Sequence, residues 1–141
     1  MSINLGMMTS ATDEWATPHD FFEQQNKLYG AFDIDVCANS ENAKCAKYFD
    51  KEMDGLKQIW TGKCWMNPPY GRSIGLWMKK AYESSLNGAT VICLVPARTD
   101  TKWWHDYAVK GQITFICGRL KFGGSKNSAP FPSALIVFQH A

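Results

Sequence analysis

The chain has no G-x-G-x-x-G fingerprint and no Walker lysine, which argues against nucleotide phosphates as its main ligand. Long apolar runs are missing too: none approaches the ~18 residues that cross a bilayer, so no membrane span is expected. Met1 to Met8 carries neither a basic start nor a sustained apolar stretch, and no secretory leader is read there. Cysteine is present but unpaired in pattern. The five residues, at 37, 45, 64, 93 and 117, are odd in number and contain no C-x-x-C. Cys37 and Cys45 lack a second pair or a nearby histidine to complete four ligands, so no metal site is expected. They read as reduced thiols of a cytoplasmic protein, three of them within apolar runs. Neither charge sign dominates. A formal net charge of +2 neither requires nor forbids a nucleic-acid partner, and affinity for one would need Lys and Arg gathered on one face.

What remains is an ordinary globular composition, 45% hydrophobic and 20% charged over 141 residues, which fits one core and no second. Residues 1–12 are small and polar without periodicity and read as a flexible tail before a single domain over 13–141. A helix is expected from Pro18 to Gly30, with Thr17 as its cap and Phe21, Phe22, Gln25 and Leu28 on compatible faces. Phe32 to Cys37 reads as a buried strand interrupted by two acids. Asn39 to Tyr48 reads as loop or short helix, and Tyr48-Phe49 as a second short strand. Lys63 to Met66 predicts a strand, and apolar residues at 74, 77, 78, 81, 82 and 86 predict a helix ending at Asn87-Gly88. Thr90 to Val95 is a continuous β-branched run of the kind a parallel sheet buries on both faces. A helix over Thr101 to Val109, capped by Asp100, precedes strands at Ile113 to Cys117 and Leu135 to Phe138. The alternation predicts an α/β fold, a mostly parallel sheet with an antiparallel edge.

The chemistry concentrates at Asn67-Pro68-Pro69-Tyr70, which leaves the apolar stretch ending at Met66. Proline after Asn67 and Pro68 holds both extended with outward carbonyls. The Asn67 side-chain oxygen supplies a second acceptor, and Tyr70 a flat ring at the mouth of the loop. Two acceptors beside an aromatic plate suit the exocyclic amine of adenine or cytosine. As a bare tetrapeptide the same four residues are also a stiff turn.

The surroundings add to this. Asp13-Glu14-Trp15 with Thr17-Pro18, Phe32 to Val36, Asn42 to Cys45, Tyr48-Phe49, Asp54-Gly55-Leu56, Asn67 to Gly71, Pro96 to Asp100 and Gly118 to Phe122 together resemble the phage-type DNA N6-adenine methyltransferases, from about residue 13 to 138. The resemblance implies a compact Rossmann-like methyltransferase core, S-adenosylmethionine as cofactor and DNA as partner. It implies Asn67, Pro68, Pro69 and Tyr70 as catalytic residues, and Thr17, Asp35, Ala38, Asp54 and Asn67 around the cofactor. The chain departs from such enzymes after its first strand, where Asp35 to Asn39 contains no glycine and only Ala38 is small enough for a close approach. Arg72, Arg98, Arg119, Lys121 and Lys126 are the candidate DNA contacts. No room is left for a separate target-recognition domain, which implies low sequence preference or a homodimer. The implied setting is modification of phage or prophage DNA, with protection from restriction as its use.

Two other readings stand beside this one. The same loop fits another planar amine or amide, such as an RNA base or a protein glutamine. A DNA-binding module that has lost its cofactor would explain the absent glycine loop. Trp103-Trp104-His105 is assigned no role.

Overall fold

A computed structural model of the chain describes residues 15–123 and 127–140. Five strands form one mixed sheet, with β1 at Ile34–Asp35, β2 at Lys63–Met66, β3 at Thr90–Pro96, β4 at Gln112–Phe115 and β5 at Ser133–Phe138. The order is β1-β2-β3-β5-β4, parallel from β1 through β3 and antiparallel where β5 meets β3 and β4. Helix α1 spans His19–Tyr29, α2 Ile74–Leu86 and α3 Lys102–Asp106. Among the described residues no helix is long and apolar enough to cross a membrane.

The expected antiparallel edge needs correction, because the antiparallel strand lies one place inside the edge. Every residue of β5 is buried, whereas β4 exposes Gln112, Thr114 and Phe115. The apolar strand therefore takes the interior and the polar one the rim. β3 is buried from Val91 through Pro96, as its unbroken apolar run requires.

The first strand is shorter than expected because its acids take over ladder positions. Asp33 accepts the Lys63 backbone N–H at 2.8 Å through its side chain, and Asp35 accepts those of Cys37 and Lys44. Tyr48-Phe49 forms one parallel bridge to Asp35 rather than a strand, closing the free edge of β1. Thr17 does not cap α1: its flanking residue is Pro18, without a side-chain cap. Nor does Asp100 cap α3, which is five residues long and passes through Tyr107 into a 3-10 turn at Ala108–Lys110.

Helix α2 buries Ile74, Trp77, Met78 and Ala81 and packs on β3 and β5. On α1, Phe22 meets Trp65 edge-on at 5.2 Å, and Phe32 meets the same indole at 5.4 Å. These contacts fix β2, and with it the start of the Asn67 loop.

Candidate active site

The C-terminal ends of β1 and β2 open into a cavity of about 670 Å³, the rim where open α/β sheets hold ligands. Its walls include Thr17, Asp35, Ala38, Asp54, Asn67, Pro68 and Pro69. Residues 50 positions apart in sequence thus share one space. Tyr70, Arg72, Arg98, Arg119 and Lys121 lie outside the lining, and Lys126 lies outside the described residues.

Asn67 is held from three sides. Its amide NH2 donates to the Trp15 carbonyl and, at 3.0 Å, to the Thr17 hydroxyl. Its Oδ1 accepts from the Tyr70 hydroxyl at 2.6 Å. A backbone carbonyl can only accept, so the Trp15 contact fixes which way the amide faces. One Oδ1 lone pair stays available. The Pro68 carbonyl is likewise engaged by no donor among the described residues.

The Tyr70 ring is not the open plate expected from the sequence. It is 9% exposed and meets Phe122 and Phe131 edge-on at 6.1 and 5.6 Å. Its hydroxyl proton is shared between Asn67 Oδ1 and the Leu94 carbonyl, 2.9 Å away. Burial pushes the phenol well above its ordinary range, so it remains a neutral donor. Tyr70 is a buried brace behind Asn67.

Asp35, 3% exposed, accepts the Lys44 N–H at 3.0 Å and the Cys37 N–H at 3.3 Å. Burial outweighs those bonds and raises its carboxyl to about 6. Ala38 donates its N–H to the Phe49 carbonyl at 3.0 Å, holding the loop after β1 against the following segment. Asp54 adopts φ +56 and accepts the Leu56 N–H at 3.1 Å, which fixes the turn at Gly55–Lys57. Gly55 in this turn packs closely against the residue that follows β1. A Cβ on Gly55 would lie 2.2 Å from the Val36 carbonyl and 3.0 Å from the Trp77 ring.

Several lining residues escape the sequence reading: Trp15, Lys44, Asp50, Trp65 and Trp77. Trp65 was accessible by strand alternation, since it stands two residues before Asn67 and shares its face. Its indole Nε1 is buried with no partner among the described residues. Trp77 sits on the buried face of α2, where nothing in the sequence separates a wall residue from a core residue.

The donor set fits a zwitterionic, aromatic cofactor. A buried carboxyl at the cavity wall suits a cation, and Trp77, Pro68 and Pro69 give flat apolar wall. Three of the thiols are poor nucleophiles: burial pushes Cys64 up to about 12, Cys45 up to about 11 and Cys93 well above its ordinary range. Among the described residues no three His, Cys, Asp or Glu side chains gather as metal ligands.

Outside the cavity, Arg98 lies over the Phe131 ring at 5.7 Å, one contact from Tyr70. Arg72, Arg119 and Lys121 are exposed. Of the paired tryptophans, Trp104 is buried, and the His105 Nε2 is 2.7 Å from the Thr99 carbonyl.

An α/β sheet with a cavity at its strand ends and an Asn-Pro-Pro-Tyr loop on its wall matches the pattern of the amino-methyltransferases. Residues 6–139 match the DNA N-6-adenine-methyltransferase (Dam) family, and the chain belongs to it. It is similar to the DNA N-6-adenine-methyltransferase of Haemophilus phage HP1, 31% identical over 140 residues that cover 92% of this chain and 80% of that protein. The DNA N-6-adenine-methyltransferase of Escherichia phage T1 is 30% identical over 148 residues, 84% of this chain. The match spans only 61% of that relative's length.

Proposed function

We propose that the chain transfers the methyl group of S-adenosylmethionine to the exocyclic N6 of adenine in DNA, on a Rossmann-like methyltransferase core. The antiparallel β5 inserted between β3 and β4 supports that core, and family membership supports the reaction. The observation that carries the reading is Asn67, gripped by Trp15, Thr17 and Tyr70 so that one side-chain lone pair remains beside the unengaged Pro68 carbonyl.

The adenine amine is a poor nucleophile because its lone pair is delocalised into the ring. Asn67 Oδ1 and the Pro68 carbonyl accept its two N–H groups off the ring plane, which localises the lone pair and stabilises the positive charge that develops on nitrogen. Pro69 stiffens the loop, and Tyr70 keeps the Asn67 oxygen aimed. Bound cofactor supplies an electrophilic methyl on a sulfonium. Thr17, Asp35, Ala38, Asp54 and Asn67 would hold it, with the Asp35 carboxyl available to its ammonium and that of Asp54 to its adenine amine. In-line transfer then rests on positioning. The target base must leave the duplex, at a cost of about a few kcal/mol offset by contacts in the site. Arg72, Arg98, Arg119 and Lys121 meet the phosphates.

The test is transfer of labelled methyl to adenine-unmethylated DNA, with nucleoside analysis of the product. Wild type gives N6-methyladenine, and Asn67→Ala reduces the rate at least about a hundredfold. Because Asn67 also ties down Trp15 and Thr17, cofactor affinity falls as well, by less than about tenfold. Methyl found on another acceptor, or an undiminished variant, would refute the assignment.

A further inference from the structure

The loop that follows β1 is tied at both ends to one side chain. The Asp35 carboxylate accepts the Cys37 N–H at 3.3 Å and the Lys44 N–H at 3.0 Å. Between those ties Asn39 and Asn42 cap each other. Asn39 Oδ1 accepts the N–H groups of Glu41 and Asn42, both at 2.9 Å, and Asn42 Oδ1 accepts that of Asn39 at 2.8 Å. A backbone N–H can only donate, so these contacts settle which end of each amide is the oxygen. Each NH2 is left over, and among the described residues neither has a partner. Both residues line the cavity, and neither is closed off from solvent: Asn39 is exposed and Asn42 half-buried. The backbone N–H groups of Asn39, Glu41 and Asn42 are thus spent inside the loop, which has no glycine for a closer backbone approach. The side-chain nitrogen donors of this loop that line the cavity are Asn39, Asn42 and Lys44.

We propose that the side-chain amides of Asn39 and Asn42 bind the carboxylate of the amino-acid end of the methyl donor, in place of backbone N–H groups. With their oxygens taken by the backbone, what the two amides offer is donors. An ionised acceptor fills such donors best, because charge-assisted hydrogen bonds are roughly twice as strong as neutral ones. The carboxylate is the one anion that S-adenosylmethionine carries, and the Lys44 ammonium on the same loop favours it over the neutral acceptors of ribose and adenine. An α-amino acid bears its ammonium and carboxylate on one carbon, so a loop clamped on the Asp35 carboxyl and carrying two amides matches both groups of that head. The reciprocal caps hold the amides before the ligand arrives, and binding then costs little ordering. The inference rests on the methyl-donor reading of the cavity and gives the carboxylate its partners there.

The test compares S-adenosylmethionine with its decarboxylated analogue, which keeps the ammonium and sulfonium and lacks only the carboxylate. Affinities are measured by calorimetry for wild type, Asn39→Asp and Asn42→Asp. Aspartate caps as well as asparagine does, so each variant keeps the backbone hydrogen bonds and exchanges only the NH2 for a second oxygen. Wild type prefers the full ligand, and each variant loses at least about tenfold of that preference, the size of one charge-assisted hydrogen bond. Asn42→Ser keeps a capping oxygen without adding charge and loses about as much, which separates a lost donor from simple repulsion. As a readout independent of any substitution, the side-chain NH2 resonances of Asn39 and Asn42 in wild type shift with S-adenosylmethionine and not with the analogue. A wild type without preference, a loss confined to the aspartate variants, or unmoved resonances overturn the proposal while the cofactor reading stands. If wild type binds neither ligand, that reading fails and the proposal with it.

Discussion

The Asp35 carboxyl is where residue-level chemistry and stability meet. Its ordinary value is 3.8, and burial raises it to about 6 in the folded chain. Below 3.8 the group is neutral whether the chain is folded or unfolded and has no effect on stability. As pH rises toward 6 the unfolded chain releases its proton and the folded one retains it, so folding is progressively disfavoured, by on the order of 3 kcal/mol once the group ionises in both states. Asp35→Asn removes the titration. Urea unfolding at pH 4, 5, 6 and 7, values chosen to span that window, should therefore show the variant gaining on wild type as pH rises. A constant difference would mean that the carboxyl is not desolvated. A bound cation offsets the burial penalty, so cofactor affinity should strengthen through the same window.

Elements locate the site by contacts that their own sequences do not announce. Lys63 to Met66 and Ile74 to Leu86 fold with the boundaries their patterns predict, because apolar spacing and burial agree there. β1 and α3 fall short because carboxylates and a broken turn compete locally for backbone groups. Gly55 lies between β1 and α2 with its carbonyl accepting the Trp60 indole N–H at 2.8 Å. Gly55→Ala forces a methyl into the Val36 carbonyl, and should destabilise the chain by about 3 kcal/mol. A lowered urea midpoint with an unchanged m-value would show it, whereas an unchanged midpoint would mean that the turn moves freely away from β1. Asp-Gly-Leu was legible as part of a resemblance. That its glycine packs against the Val36 carbonyl was not.

At the scale of the whole molecule, a net charge of +2 cannot by itself hold a polyanion, so DNA affinity must come from placement. Arg98 and Arg119 are exposed, and Arg98 lies over a ring that packs against Tyr70. Replacing either by Ala should weaken binding to all sequences alike and reduce the slope of log affinity against log salt by about one. Anisotropy titrations over a range of salt read this directly, and an unchanged slope would remove that arginine from the phosphate contacts. A cluster of Trp15, Tyr70, Phe122 and Phe131, with ring centroids 5.1 to 6.1 Å apart, joins the residues before α1, the Asn67 loop and the segment before β5. The Gly123 N–H donates to the Ala16 carbonyl at 2.9 Å within the same join.

The amino-acid order alone determined the fold class, the strands and helices with clean periodicity, and the loop that carries Asn67, because hydrophobic spacing and proline stereochemistry are local properties. Through a resemblance rather than through distance it also named some of the residues that line the cavity, Thr17, Asp35, Ala38, Asp54 and Asn67 to Pro69. Only the tertiary structure decided that Tyr70 is a buried brace, that Thr17 serves Asn67 instead of capping a helix, and that Asp35 and Trp65 are buried register partners on β1 and β2. Burial and partnership are properties of pairs brought together by folding, and no single segment of sequence contains them.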